Sequence, residues 1–431
     1  MKILVLGSGG REHAIVWALN KTASATPAIY CAPGNPGISQ IAKILPFSVE
    51  DDSAILAFAK SEKIDLTFVG PEAPLAAGIV DKFQSSGLPI VGPVQSAARL
   101  ESSKVFSKNF MARFGIPTAS FRVAENPAAA LEILRRGEIS VGGRVVLKAD
   151  GLAAGKGVII ADSLSEAERA VTDLMVTGVA GKEAGSRLVI EEPLSGQEAS
   201  LLLFADGRDY AVMPVARDHK RIGEGDTGPN TGGMGSITDS SILPPELVAR
   251  VLRDIVEPTL EGVRAEGSEF KGVLFLGLML TPDGPKLLEY NVRFGDPETQ
   301  AILVRLRTDL SAIFEGIRTG SLGNLKVEWS EGASACVVLA NGGYPGKYEK
   351  GAVIRGLTGT QSESVTIFHA GTTENADGQI IATGGRVLGV TSEGVDLKQA
   401  LGRCYDAIGN IHWEGMQFRR DIGRSTIGWI R

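Results

Sequence analysis

The chain has 431 residues, 43% of them hydrophobic and 22% charged, with a formal net charge of −6. That length and balance describe a soluble globular protein of roughly two to four domains. The acidic sign argues against general nucleic-acid binding, no apolar run approaches the ~20 residues that span a bilayer, and neither the three cysteines (Cys31, Cys336, Cys404) nor the four histidines (His13, His219, His369, His412) fall at metal-ligand spacing.

Met1-Lys2-Ile3-Leu4-Val5-Leu6-Gly7 reads as a strand running into a turn rather than a signal peptide. With a few scattered cysteines, a reducing, cytoplasmic setting is expected. Strands at Ile3–Leu6, Ala28–Cys31, Leu66–Val69 and Pro89–Val91 alternate with helical stretches such as Glu12–Leu19 and Ser53–Lys60. That alternation predicts an open parallel sheet with right-handed crossovers. Each strand ends in a Gly/Pro turn (Gly7-Ser8-Gly9-Gly10, Pro33-Gly34-Asn35-Pro36-Gly37, Gly70-Pro71-Glu72, Gly92-Pro93), and ligands of such sheets bind beyond those ends. Gly9 and Gly10 with Arg11 at a helix start suit a phosphate, because free backbone N–H groups and the helix dipole attract an anion. A plain tight turn explains the same glycines. A dinucleotide is disfavoured: Glu12 stands where the fingerprint needs its third glycine, and no Asp or Glu lies between Ala28 and Gly37 to hold a ribose.

A second unit begins near Leu100. Ser102-Ser103-Lys104 reads as a helix start, since a serine cap satisfies orphan amide donors. The strand Arg144–Lys148 leads into Asp150-Gly151-Leu152-Ala153-Ala154-Gly155-Lys156-Gly157-Val158, a small, glycine-rich loop able to lay backbone amides over phosphates while staying mobile. Only three residues separate Gly151 from Gly155, Gly157 stands where a Walker loop needs Ser or Thr, and the strand Val158–Ile160 follows instead of a helix. The segment is therefore a strand–loop–strand flap. Leu188 to Ser200 reads as strand, Pro/Gly connector and strand. Such a connector between two lobes can offer backbone groups to an adenine edge, with Glu198 beyond it accepting from ribose hydroxyls. On spacing alone an ordinary hairpin is the readier reading.

The richest chemistry lies in Leu287-Leu288-Glu289-Tyr290-Asn291-Val292-Arg293-Phe294-Gly295-Asp296-Pro297. Side chains two apart on a strand share a face, so Glu289 and Asn291 present a pair of hard oxygens suited to Mg²⁺ or Mn²⁺ bridging nucleotide phosphates. Arg293 continues that face, where a guanidinium can hold a phosphoryl or carboxylate group. A solvated strand face is the plain alternative.

The succession Lys104, Lys148, glycine flap, Glu191–Leu194 connector, Glu198 and Glu289-x-Asn291-x-Arg293 resembles the ATP-grasp fold, and within it the glycinamide ribonucleotide synthetases. The resemblance runs through Gly7 to His13, Val69 to Leu75, Lys148 to Val158, Asp218 to Gly235, Asn291 to Glu298, Gly343 to Gly346, Phe368 to Thr372 and Thr383 to Leu388, and so covers essentially the whole chain. It implies an α/β protein: an ATP-grasp core with an amino-terminal open parallel (Rossmann-like) sheet domain and a small carboxyl-terminal mixed α+β domain. The expected bounds are 1–101, 102–327 with 122–192 as a mobile ATP clamp, and 328–431. It further implies ATP-dependent joining of glycine to 5-phosphoribosylamine through glycyl phosphate, with Mg²⁺ or Mn²⁺ and no obligatory protein partner, the chain being a monomer or weak homodimer.

Residue by residue, the resemblance puts Lys104, Lys148 and the flap residues Gly151, Gly155, Lys156 and Gly157 at the ATP phosphates. It puts Glu191, Glu192 and Leu194 at adenine, Glu198 at ribose, and Glu289 and Asn291 at the metal. Arg293, Asp218 and Lys220 fall at the reacting groups, and Glu72, Asn230, Thr231, Gly233, Asp296, Pro297 and Glu298 in substrate-binding stretches. A ribose 5-phosphate needs an anion site of its own, which Gly9, Gly10, Arg11, Asn35 and Gly37 can supply. The chain departs from many ATP-grasp enzymes in having no acid in Leu276-Gly277-Leu278-Met279, a gap that glycinamide ribonucleotide synthetases share, and from that family's usual residues at Pro193, Gln197 and Ser236 to Ser241.

Overall fold

The computed structural model describes residues 1–153, 157–179, 181, 184–360, 362 and 364–424. The amino-terminal sheet has five parallel strands in the order Lys43–Ile44, Ala28–Pro33, Lys2–Gly7, Leu66–Val69, Ile90–Val91. Four of these are legible in the sequence; the two-residue Lys43–Ile44 strand carries no periodicity to read. The helices follow the expected positions, Gly10–Lys21 and Asp52–Ser61. Strand order reverses between Lys2–Gly7 and Leu66–Val69, so the crevice of this sheet opens beyond Gly7 and Gly70.

A second sheet, Phe121–Ala124, Leu188–Glu191, Val145–Ala149 and Val158–Ala161 in spatial order, is wholly antiparallel. Val145–Ala149 and Val158–Ala161 are the two arms of the glycine flap. Helix Pro127–Arg136 starts on an Asn126 cap and a proline in its first turn, and ends at Gly137 with φ of 68°. Helices Pro127–Arg136 and Leu164–Val171 close a core of Leu134, Leu147, Ala167, Leu174, Leu188 and Ile190 that is separate from the others.

The third sheet is the largest, running Gly284–Asn291, Lys271–Thr281, Gln197–Asp206, Ala216–Asp218, Gly235–Thr238, Ala333–Asn341, Arg386–Gly394, Val365–His369. Ala333–Asn341, Arg386–Gly394 and Val365–His369 of the carboxyl-terminal region thus belong to this sheet, while Ala352–Val353, Ile380–Ala382 and Thr372–Glu374 form a separate three-stranded one. Gly235–Thr238 pairs antiparallel with Ala333–Asn341, and the hydrogen-bonded ladder continues from the substrate loop into the last hundred residues. Gln197–Asp206 and Leu188–Glu191 belong to different sheets, so residues 192–196 are a connector between lobes and not a hairpin turn.

Phenylalanines join the amino-terminal sheet to the large one. Phe68 stacks on Phe314 with centroids 4.3 Å apart and planes 7° apart, and Phe294 meets Phe68 at 5.8 Å and Phe204 at 5.9 Å. These rings sit in one core with Ile3, Val5, Ile15 and Leu19. No helix among the described residues is long and apolar enough to cross a membrane, and Cys31, Cys336 and Cys404 are all buried and free. Phe314→Ala should lower unfolding free energy by about 3–5 kcal/mol through the cavity left between the two sheets. A urea titration showing less than ~1 kcal/mol of change would mean that the sheets are joined by something other than this cluster.

Candidate active site

The Gly284–Asn291 strand lies at the edge of the large sheet, and its pairing with Lys271–Thr281 slips by one residue: Gly277 faces Glu289 while Leu278 faces Leu287. Leu288 is the extra residue, and its carbonyl accepts from Lys148 Nζ at 3.2 Å. Glu289 and Asn291 are half-buried beside it. Burial alone would raise the Glu289 carboxyl, but Lys220, Lys104, Lys148 and Arg293 together hold it below the usual carboxylate range. Four cations from four segments therefore converge on one carboxylate.

Strand alternation does not place Arg293, because the strand stops at Asn291. The bend that follows turns the guanidinium back, so that Nη2 donates to Asn291 Oδ1 at 3.1 Å and approaches Glu101 Oε1 at 2.8 Å, while Nε donates to Glu72 Oε2 at 3.2 Å. Glu101, from helix Gln95–Ser102, also accepts the Val292 N–H at 2.8 Å. Sequence reasoning misses Glu101, since a lone acid on a short helix gives no signal.

Lys148 Nζ lies 3.0 Å from Glu191 Oε2, and a second buried lysine, Lys108, reaches the same oxygen at 3.1 Å. Lys108 also donates to Thr118 Oγ1 at 2.6 Å, which passes on to the Leu287 carbonyl at 2.6 Å. Burial lowers the Lys108 ammonium to about 8, Glu191 opposing that shift and Lys148 adding to it. Among the described residues, Glu191 Oε1 is buried without a hydrogen-bond partner. Lys108 is another omission of the sequence reading: within an amphipathic helix it looks like any solvated lysine.

Glu192 Oε1 accepts the Ser120 N–H at 2.9 Å, and Leu194 is half-buried on the connector. Lys104 opens helix Lys104–Arg113, capped by Ser103, whose Oγ accepts from Phe106 N at 3.1 Å. Asp150 ties this start to the flap, taking the Ser103 hydroxyl at 2.8 Å and the Val105 N–H at 3.1 Å. Gly151 has φ of 141°, and a Cβ there would come within 3.1 Å of Ala184. A Cβ on Gly157 would meet Ala153 at 2.7 Å. Gly155 and Lys156 lie outside the described residues.

Across the cleft, Lys220 makes an ion pair with Glu198, which joins the expected ribose residue to the expected reaction loop. Asp218 ends its strand opposite Ser236. Glu298 opens helix Glu298–Leu303, 4% exposed, with the Ser200 hydroxyl 3.4 Å from Oε1. Burial and neighbouring Asp218 push the Glu298 carboxyl up to about 7, and burial raises Asp218 as well, against Lys220. Thr231 N and Oγ1 both donate to the Lys220 carbonyl, at 2.7 and 2.8 Å. Gly233, φ 110°, packs so closely on Pro297 that a Cβ would fall 2.5 Å from it. Asp296 accepts from Gln300 Nε2 at 2.9 Å, and its backbone carbonyl accepts from Arg386 Nη1 at 2.7 Å. Asn230 ends an exposed hairpin strand directly before Thr231.

The amino-terminal turns are bound by internal contacts. The Gly9 N–H already donates to Glu12 Oε2 at 2.6 Å. Arg11 is buried, its Nε on Glu12 Oε1 at 2.7 Å and its Nη1 on the Phe294 carbonyl at 3.0 Å. A Cβ on Gly7 or on Gly70 would come within 2.3 Å of the Glu12 side chain. The crevice at the strand reversal is thus filled by the chain's own carboxylate, which caps the helix and neutralises Arg11. Asn35 is spent too: Nδ2 donates to the carbonyls of Ser8 and His369 at 2.8 and 2.9 Å, and Oδ1 accepts from Gly37 and Ile38. A Cβ on Gly37 would strike the His13 ring at 2.3 Å, and one on Gly10 would strike Gln300 at 2.6 Å. Through these contacts the turn expected to hold an anion, with Gly9, Gly10, Arg11, Asn35 and Gly37, is also tied to Phe294 and His369.

Family models described as Phosphoribosylglycinamide synthetase match the chain in three consecutive pieces, the N domain over residues 1–101, the ATP-grasp (A) domain over 102–299 and the C domain over 334–425. The chain is 46% identical over 427 residues to a phosphoribosylamine–glycine ligase of Brucella melitensis, covering 98% of this chain and 97% of the relative. A phosphoribosylamine–glycine ligase of Vibrio cholerae is 46% identical over 430 residues, 99% of each chain. A crystal structure of phosphoribosylamine–glycine ligase from Thermotoga maritima superposes with a TM-score of 0.84 at 36% identity, covering 98% of this chain and all of that one. A biotin carboxylase domain from Hydrogenobacter thermophilus shares the fold at a TM-score of 0.74 and 16% identity, covering 97% of this chain and 91% of that one.

Arg11→Ala should strand the buried Glu12 carboxylate and cost about 3–5 kcal/mol of stability. The folded fraction should keep unchanged Michaelis constants. A well-folded Arg11→Ala protein of normal stability that loses affinity for one phosphorylated substrate alone would restore the anion-site role.

Proposed function

This chain belongs to the phosphoribosylglycinamide synthetase family, and we infer from that membership and from the site's geometry how its residues divide the work. It is an ATP-dependent carbon–nitrogen ligase of purine biosynthesis, joining glycine to 5-phosphoribosylamine through glycyl phosphate and releasing ADP and phosphate. The observation that carries the residue assignment is the convergence of Lys104, Lys148, Lys220 and Arg293 on Glu289.

A glycine carboxylate is a poor electrophile, so it must first receive the terminal phosphoryl group of ATP. In-line transfer of that group demands charge neutralisation more than proton transfer. We assign Lys104 and Lys148 to the α- and β-phosphates and Arg293 to the transferring phosphoryl group. The Glu191–Leu194 connector takes adenine, between the clamp sheet and the large sheet, and Glu198 the ribose. The Gly151–Gly157 flap and the clamp, residues 122–192, close over the phosphates and keep water from the acyl phosphate; the clamp's separate core supports its movement as a unit.

Glu289 and Asn291 would hold a divalent cation, for which we favour Mg²⁺ or Mn²⁺. Their two hard oxygens, half-buried at the cleft edge, fit such an ion. Among the described residues no group of three His, Cys, Asp or Glu side chains could hold a metal, so phosphate and water oxygens must complete the shell. When bound, the cation supplies charge neutralisation between the phosphates.

Asp218, Glu198 and Glu298 give the other side of the cleft a carboxylate character that suits the amino groups of both substrates. Glu298, pushed up to about 7 by burial beside Asp218, can take the proton the attacking amine sheds as the C–N bond forms and phosphate leaves. Lys220 balances the charge of the acyl phosphate. Thr231, Gly233, Asp296 and Pro297, pinned by Arg386, form the wall we assign to phosphoribosylamine, with Asn230 at its outer rim.

ADP release should require glycine and phosphoribosylamine together for sustained turnover. Release driven by bicarbonate and indifferent to glycine would instead make the chain a carboxylase of the same fold. Glu289→Gln should keep the circular dichroism and melting temperature of the parent while abolishing turnover, and chelation of divalent ions should do the same to the parent. Wild-type turnover by Glu289→Gln at saturating metal would refute the metal assignment.

A further inference from the structure

The chain leaves the large sheet at Asp218 and returns to it at Gly235, and between these points runs a two-stranded hairpin, Arg221–Gly223 against Thr227–Asn230. Thr227–Asn230 is exposed along its whole length, and the tip turns through Gly225 and Asp226 with φ of 66° and 55°. An isolated ribbon of this size is marginal at best in water. It nevertheless flanks Lys220 directly, so something must hold it.

The holder is a strap from the carboxyl end of the chain. Arg419, 2% exposed, donates from Nη1 to the Arg221 carbonyl at 3.0 Å and to Asp226 Oδ1 at 2.7 Å. Its Nε and Nη2 grip the two oxygens of Asp421, each at 2.9 Å. Asp421 Oδ2 in turn accepts the Gly225 N–H at 2.8 Å, and the Arg420 N–H donates to Glu224 Oε1 at 3.1 Å. Between Asp218 and Lys220, His219 accepts the Gly423 N–H on Nε2 at 3.0 Å. Burial lowers that imidazole to about 4, with Arg419 adding to the shift, so the acceptor nitrogen stays unprotonated near neutral pH. The Tyr405 hydroxyl anchors the strap from behind, donating to the Arg419 carbonyl at 3.0 Å and accepting from Ile422 N at 3.3 Å.

We propose that Arg419, locked by Asp421, is a positioning residue: the 419–423 strap fixes the 221–230 hairpin and through it holds Asp218 and Lys220 where glycine and the amine react. This rests on the roles given above to Asp218 and Lys220. A guanidinium is suited to the task because its planar fork can grip a carboxylate on one edge while the remaining donors reach a carbonyl and a second carboxylate. The ATP-phosphate lysines stand on other segments, Lys104 on a helix and Lys148 in the clamp sheet, and do not depend on the strap.

The test combines steady-state ADP release with amide hydrogen exchange. Arg419→Ala should speed exchange across residues 221–231 and lower kcat/KM for glycine and for phosphoribosylamine by about tenfold or more, the scale on which small misplacements act, while changing the KM for ATP much less. Arg419→Lys should recover part of that loss. Asp226→Gly removes one exposed anchor at a φ that glycine adopts freely, so it should fold normally and show a smaller shift of the same kind. The proposal is overturned if Asp226→Gly and a folded Arg419→Ala keep parental kinetics despite faster hairpin exchange. It is equally overturned if all three substrates lose the same factor as folded protein declines. Parental ADP release that ignored glycine would sink the underlying functional reading and the strap with it, whereas normal glycine dependence in the parent isolates the strap as the hypothesis under test.

Discussion

Everything in this site depends on holding several like charges close together before any phosphate arrives. Lysines and arginines brought into one water-poor cleft repel each other, and each loses hydration when buried. The fold answers by alternating signs along a continuous path: Lys108, Glu191, Lys148, then the Leu288 carbonyl; Glu289 among Lys104, Lys148, Lys220 and Arg293; Arg293 between Glu101 and Glu72; Lys220 on Glu198. The cations are thereby fixed in place, and a bound polyphosphate meets a preset arrangement rather than flexible surface side chains.

That path crosses two sheets with separate cores. Lys148 and Glu191 stand on the antiparallel sheet of residues 121–191, while Glu289, Asn291, Glu198 and Asp218 stand on the large sheet. The two are joined by the 192–196 connector and by polar contacts such as Lys148 to Leu288 and Thr118 to Leu287. The core of the antiparallel sheet is separate from those of the large sheet. The other side of the cleft is built differently. The strands of the reaction loop continue through Gly235–Thr238 into Ala333–Asn341, and Arg386 and Arg419 pin the loop from the carboxyl-terminal region. One wall of the site is suited to movement and the other to rigidity.

The amino-terminal sheet has the strand order and crevice of a ligand-binding α/β domain, yet the crevice is filled from within. Glu12 accepts the Gly9 N–H at the helix N-terminus, and Gly7 and Gly70 leave room for its side chain where any Cβ would clash. Burying that carboxylate is feasible because Arg11 neutralises it, and Arg11 in turn reaches the Phe294 carbonyl just after the Gly284–Asn291 strand. The turn that looks like a phosphate cradle is also a joint between the amino-terminal domain and the segment that follows the Gly284–Asn291 strand.

The sequence by itself determined what local physics controls. Period-two alternation and Gly/Pro turns marked the parallel strands, the glycine run between Lys148 and Val158 marked a flap that could not be a Walker loop, and Glu289-x-Asn291 marked a pair of oxygens on one strand face. Tertiary structure decided what depends on partners distant in the chain. The 419–423 segment lies on the 221–230 hairpin because Arg419 meets Asp226 there, and Lys108 and Glu101 matter because burial puts them against Glu191 and Arg293. Arg293 reaches the site through a bend, not through strand periodicity, and Arg11 turns inward onto Glu12. Residue type and spacing state which groups can bind a phosphate; only the fold shows which of them remain free to do so, because a charge already neutralised inside the protein leaves the same mark in the sequence as one that waits for substrate.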